Sequence, residues 1–196
     1  MKKGLLIVLS GPSGVGKRTL WLNLLKNKRF HLRYSISMTT RPKRFDEKHG
    51  KEYFFVTKPE FEQAIKNNKM LEYATYCNNY YGTPKKYVDD LRKKGFNVLL
   101  EIEAQGGLNL IKQFKQKTDL GFITIFILPP STNDLIKRLR LRGTEDKKII
   151  DTRIKQAKWE IKQSKYYKYR IVNNEIKRAR DELKNILLRE IKNNER

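Results

Sequence analysis

Gly4-Leu-Leu-Ile-Val-Leu-Ser10 runs without a break into Gly11-Pro-Ser-Gly-Val-Gly-Lys17-Arg-Thr19, and then into Leu20-Trp-Leu-Asn-Leu-Leu25. The first segment has the continuous apolar character of a buried strand, and the third carries a helical apolar pattern. Between them, glycines allow the backbone to turn tightly with its N–H groups pointing inward, at the positive end of the helix that follows. Lys17 can then reach the outer phosphates of a nucleoside triphosphate, so Gly11, Pro12, Ser13, Gly14, Val15, Gly16 and Lys17 form the expected phosphate cradle. The residue after the lysine is Arg18, and the hydroxyl comes one position later at Thr19, which leaves the direct loop ligand for Mg²⁺ open. Turned outward, Arg18 is inert; turned inward, it adds positive charge beside the phosphates.

The chain has 196 residues, enough for a single domain with a sizeable core. No apolar stretch approaches the length of a membrane span, and a charged start leading into a strand does not read as a signal peptide, so a cytoplasmic protein is expected. Cys77 is the only cysteine, which excludes an internal disulfide, and no Cys/His cluster offers a structural metal site. His31 and His49 sit in polar surroundings and read as surface residues. A formal charge of +23 invites a nucleic-acid partner. Against this, the basic excess is spread from Lys2 to Arg196 instead of forming one stripe, so a solvated basic surface is the expectation.

Further along, Arg33 to Ser37 and Glu52 to Val56 read as short strands, and Thr57-Lys-Pro-Glu60 as a capping box opening a helix to Asn67. Met70 to Cys77 and Asn78 to Gly82 suggest a strand and tight turn, Thr83-Pro84 the start of a helix ended by Gly95. Asn97-Val-Leu-Leu-Glu-Ile-Glu103 is apolar until its acidic end, as in a buried parallel strand whose carboxyl edge faces a site. A helix around Gly107 to Phe114 leads to a strand at Phe122 to Leu128, stopped by Pro129-Pro130. Ser131 to Asp134 opens a helix carrying Arg138 and Arg142 and closed by Gly143. A charged helix over Lys147 to Lys165, a strand at Tyr169 to Val172 and a terminal helix from Glu175 to Asn193 complete the chain. Strands separated by helices predict a three-layer α/β fold around a parallel sheet.

Five separated motifs now coincide: the loop Gly11 to Lys17, Ser35-Ile-Ser-Met-Thr-Thr-Arg41-Pro-Lys-Arg44, Asn79-Tyr-Tyr-Gly82, Glu101-Ile-Glu-Ala-Gln-Gly106, and Pro129-Pro-Ser131 with Arg138-Leu-Arg-Leu-Arg-Gly-Thr144. Together they resemble the guanylate kinases over nearly the whole chain. The resemblance implies a P-loop kinase core at 1–33, 88–130 and 166–196, a mobile GMP-binding region at 34–87 and a lid at 131–165. It implies transfer of the γ-phosphate of ATP to GMP or dGMP with Mg²⁺.

By the same resemblance, Arg41, Arg44, Tyr53 and Tyr81 hold the GMP phosphate, with Glu47 orienting the arginines, while Glu72, Ser37 and Thr83 read guanine. A carboxylate accepts from N1–H and the exocyclic amine of guanine, whereas adenine leaves it facing an acceptor. On the ATP side Lys17, the loop, Arg18, Thr19 and Asn173 are implied, with Arg138, Arg142 and Arg153 as lid arginines. Glu101 is implied to orient metal-bound water and, with Thr19, to lie near Mg²⁺; Glu103 is implied to approach guanine, where the family often carries Asp. Because a GMP phosphate oxygen is already anionic, no residue has to remove a proton, and charge shielding and alignment can do the work. Three rivals stay open: a noncatalytic scaffold module of guanylate-kinase type, a kinase for another monophosphate, and a basic nucleic-acid binder.

Overall fold

The computed structural model of the protein describes residues 2–76, 78–115, 121–141 and 147–195. In chain order the elements are β1 (Leu6–Ser10), α1 (Lys17–Trp21), β2 (Leu32–Tyr34), β3 (Met38–Thr39), β4 (Phe54–Phe55), α2 (Lys58–Lys66), β5 (Met70–Tyr76) and β6 (Asn79–Pro84). They continue with α3 (Lys85–Lys93), β7 (Asn97–Glu101), α4 (Ala104–Lys115), β8 (Phe122–Leu128), α5 (Thr132–Leu141), α6 (Lys147–Gln163), β9 (Tyr169–Val172) and α7 (Ile176–Glu195).

Every residue of β1 is buried, as its unbroken apolar run requires of a strand covered on both faces. It is the middle strand of a five-stranded parallel sheet, ordered β2-β7-β1-β8-β9. Alternate β1 side chains separate two cores. Leu5, Ile7 and Leu9 pack with Leu20 and Trp21 of α1 and with Ala179, Leu183 and Leu187 of α7. Leu6 and Val8 face the other way, onto Val88 of α3 and Leu110 and Ile111 of α4. Helices on both faces of a parallel sheet make the three layers that the strand–helix alternation predicts. Loops at the carboxyl ends of β1 and β7 therefore open on one edge of the sheet, where such folds bind ligands.

A separate four-stranded sheet, ordered β4-β3-β6-β5, stands beside that edge, and β6 passes directly into α3. The capping box is present at α2: Glu60 N donates to Thr57 Oγ1 at 3.4 Å, and Thr57 N donates to Glu60 Oε2 at 2.7 Å. Such a cap stabilises a helix by about 1 kcal/mol.

Several local expectations change, among them the tight turn expected at Asn78 to Gly82, where Asn79 to Gly82 lie in β6 and pair with β5. The helical pattern through Leu25 yields a helix only to Trp21, followed by 3₁₀ turns at Leu24–Lys26 and Lys28–Phe30. Asn27 Oδ1 accepts from Arg29 N at 3.1 Å, capping the second of these turns. The stretch from Arg33 to Ser37 is not one strand, because the chain leaves the parallel sheet after Tyr34 and enters the second sheet at Met38. Of Glu52 to Val56 only Phe54–Phe55 form a strand, paired with the equally short β3, while Tyr53 makes an isolated bridge to His49. Cys77, Arg142 and Gly143 lie outside the described residues.

Candidate functional site

Gly11, Gly14 and Gly16 all have positive φ, at 152°, 83° and 92°, so the loop after β1 needs a residue without a side chain at each turn. At Gly16 a Cβ would also stand 2.8 Å from Asn173 Nδ2. Asn173 itself donates from Nδ2 to Val15 O at 2.8 Å, bracing the loop from the end of β9. Lys17 Nζ donates across the loop to Gly11 O at 2.6 Å, so the ammonium is held at the loop's mouth. Pro12 closes a turn by accepting from Val15 N at 3.2 Å. Arg18 and Thr19 are exposed at the start of α1, and Arg18 turns toward the neighbouring cleft.

That cleft, of about 550 Å³, lies between the parallel sheet and the second sheet. Ser37, Arg41, Arg44, Glu47, Tyr53, Glu72, Tyr81, Glu101 and Glu103 all line it. At one end Arg41 makes a two-pronged pair with Glu47, Nη1 to Oε2 at 2.8 Å and Nη2 to Oε1 at 2.7 Å. Arg44 N donates to the same Oε2 at 2.9 Å, which bends the loop so that both arginines face the cleft. Tyr81 also bonds Arg41, whose guanidinium lies 5.4 Å from the centre of the Tyr53 ring. Tyr53 and Tyr81 meet edge to face at 6.0 Å.

The Arg41 hydrogen bonds, helped by Arg44, hold the Glu47 carboxyl at about 2, below its ordinary 4.5. A depressed carboxyl contributes stability above the unfolded value that is lost as pH falls through the folded one. Glu47→Gln is therefore expected to cost about 1.5–3 kcal/mol at neutral pH, the range for a hydrogen bond to a charged group. The difference from wild type should shrink between pH 4.5 and 2. Thermal melting across that window checks it, and a constant difference would contradict it.

At the other end Glu72, on β5, is buried, and Thr83 Oγ1 of β6 donates to its Oε1 at 2.7 Å. Their strands pair antiparallel with Glu72 opposite Thr83, which puts hydroxyl and carboxylate in register. Thr83 thus stays in the sheet, and Pro84 takes the cap position of α3 without a side-chain bond. Gly106 of α4 makes room: a Cβ there would lie 2.3 Å from Glu72 Oε2. Burial, with the charge of Glu103, pushes the Glu72 carboxyl up to about 7 against the pull of Thr83.

A small cavity of about 90 Å³ joins Ser13 of the loop and Glu103 to Arg153, Gln156 and Glu160 of α6. Arg153 is thus brought to the phosphate loop, while Arg138 is on α5 with its side chain outside those described. Glu160 was not legible as a site residue. Its carboxyl is buried and pushed upward, first by burial and then by Glu103, with Lys17 pulling the other way. Trp21 and Tyr34 also line the cleft unforeseen, since a helical apolar pattern and a strand end name packing residues, not walls of a site. A larger groove of about 840 Å³ along α7 contains none of the expected site residues.

Two oppositely equipped ends, one cationic and one carboxylic, beside a phosphate loop suit a nucleotide acceptor and a triphosphate donor. The family model for guanylate kinase matches residues 3–190. The guanylate kinase of Mycoplasma mobile is 46% identical over 192 residues, spanning 97% of this chain and 96% of that protein. The guanylate kinase of Streptococcus mutans is 48% identical over 186 residues, spanning 95% and 86%. The crystal structure of guanylate kinase from Anaplasma phagocytophilum superposes with a TM-score of 0.76 at 35% identity, covering 97% of this chain and 87% of that one. On its matched length, its identity to these proteins and its shared fold, the chain belongs to the guanylate kinase family.

Proposed function

We propose that the protein binds GMP or dGMP in the cleft and ATP over the phosphate loop, and moves the γ-phosphoryl group of ATP onto a phosphate oxygen of the acceptor. Phosphoryl transfer from ATP to GMP is the activity of the family. The observation that carries the residue assignment is the buried Glu72–Thr83 pair facing, along one cleft, the Arg41–Glu47–Arg44 cluster. Glu72 would accept from guanine N1–H and the 2-amino group, with Ser37 and Thr83 supplying hydroxyls. Arg41, Arg44, Tyr53 and Tyr81 would donate to the phosphate, which thereby points back toward Lys17.

The reaction needs no general base, because the attacking oxygen is already charged. What the chain supplies is alignment of two polyanions and compensation of their repulsion. Lys17 and the loop N–H groups would hold the β- and γ-phosphates, and Arg138, Arg142 and Arg153 would close from the lid, segment 131–165, over the transferring group. Exclusion of water on closure keeps ATP from hydrolysis. Glu101, at the end of β7, is a hard oxygen donor bordering the cleft, which fits Mg²⁺ held largely through water, and the Thr19 hydroxyl would be the loop's nearest donor to it. When bound, the ion would neutralise charge on the β- and γ-oxygens. Glu103 would support guanine binding from beside Glu72. A cytoplasmic location accords with these nucleotide substrates, and no helix among the described residues is long and apolar enough to cross a membrane.

ADP formation from ATP and Mg²⁺, with GMP, dGMP, AMP, CMP and UMP offered in turn, tests this reading. Preference for GMP and dGMP is expected; another preferred acceptor, or no turnover, would overturn it. Gly106→Ala adds a narrower test, since the new methyl must displace the Glu72 carboxylate. The KM for GMP should rise about 10–100-fold, the scale of one disturbed charged hydrogen bond, with ATP affinity preserved. Unchanged GMP kinetics would remove Glu72 from guanine recognition.

A further inference from the structure

The end of β7 meets α1 and β2 through a contact that the mechanism above does not use. Trp21, the last residue of α1, is 3% exposed, and its indole Nε1 donates to Glu101 Oε2 at 2.6 Å. Its ring lies flat on Tyr34, the last residue of β2, with centroids 4.6 Å apart and planes 10° from parallel. Trp21, Tyr34 and Glu101 all border the cleft.

We propose that Trp21 is a positioning residue that fixes the Glu101 carboxylate at the meeting point of the two nucleotides. This rests on the role given to Glu101 above and extends it to the group that aims it. A glutamate side chain at a strand end can occupy several rotamers, and only some present its charge to the cleft. A charge-assisted hydrogen bond selects one of them and occupies one oxygen, leaving the other for water or the metal shell. The donor must itself be immobile, and the stack on Tyr34, with burial in the core beneath, holds the indole plane. Packing alone could be served by any large apolar side chain. Leucine or phenylalanine would fill the space; the N–H is what distinguishes tryptophan.

The test combines a spectrum and a mutant cycle. The chain has two tryptophans, so Trp159→Phe assigns the Trp21 indole N–H signal in a ¹H–¹⁵N spectrum of nucleotide-free protein. Glu101→Ala should move that signal strongly upfield; an unmoved signal overturns the proposal, whether or not any Trp21 variant folds. In kinetics, Trp21→Phe keeps a stacking ring and should lower kcat about tenfold, the loss of one hydrogen bond to a charged group. GMP affinity by calorimetry should stay within about twofold, a split that general loosening of the core would not give. Trp21→Phe/Glu101→Ala should be no slower than Glu101→Ala, since the two residues act through one contact. Full kcat in Trp21→Phe with an impaired Glu101→Ala, or losses that multiply, would overturn the inference alone. Full kcat in Glu101→Ala would overturn the role of Glu101 itself.

Discussion

Lys17→Ala lowers GMP-dependent ADP formation by about 10³–10⁵-fold, the scale on which one cation at a transferring phosphoryl group contributes. The side chain starts α1 directly behind the glycine loop, and its ammonium is held at the loop's mouth. Its partners there are the carbonyls of Gly11 and Pro12, at 2.6 and 3.4 Å. Those contacts are local and partly solvated, so their loss should cost about 1 kcal/mol and shift melting by only about 2–4 °C. The fold rests instead on the two cores flanking β1, to which Lys17 contributes nothing. Rate and stability should therefore separate. Activity within tenfold of wild type would take the loop lysine out of the reaction, and a loss that tracks unfolding would leave its chemical role unsupported.

How much of this was legible in the sequence depends on whether a feature is local. The buried strand Phe122–Leu128, the edge strand Tyr169–Val172, the capping box at Thr57 and the phosphate loop are written in contiguous residues, and all take their expected places. The acidic end of β7 likewise announced a site at the sheet's carboxyl edge. What was not legible is created by approach between distant segments. Gly106 closes the motif that starts at Glu101, but nothing in that motif tells that the Glu72 carboxylate is pressed against it. Trp21 belongs to an apolar pattern until its N–H meets a carboxylate eighty positions away. Glu160 looks like any charged residue of a solvated helix, yet α6 lays it against Glu103 and buries it. Asn173, implied on the ATP side, gains from the fold a bracing contact no sequence shows, its bond to Val15 of the phosphate loop. The helix after the loop is also shorter than its apolar pattern suggests: it stops at Trp21 and the chain continues in two 3₁₀ turns, the second capped by Asn27.

Glu72→Gln should raise the KM for GMP about 10²–10³-fold while leaving ATP affinity within about threefold, because the amide turns a donor toward one of two guanine donors in a buried site. The carboxyl is held near 7 by burial first and Glu103 second, with the Thr83 hydroxyl opposing them. Guanine needs the ionised form, so below about pH 7 the wild-type site must give up a proton to bind. GMP affinity should then fall by up to about tenfold per pH unit, beyond the titration of the nucleotide's own phosphate. The variant shares the phosphate titration but not the carboxyl's, so the ratio of the two KM values is largest near pH 8 and shrinks toward pH 6. Stability runs in the opposite sense. With a folded value above the ordinary 4.5, Glu72 contributes stability fully below 4.5 that is lost as pH rises through about 7. Glu72→Gln should accordingly melt higher, relative to wild type, at pH 8 than at pH 4. A KM ratio constant from pH 6 to 8, or equal losses toward ATP and GMP, would show that this carboxylate is a structural partner of Thr83 and not the reader of guanine.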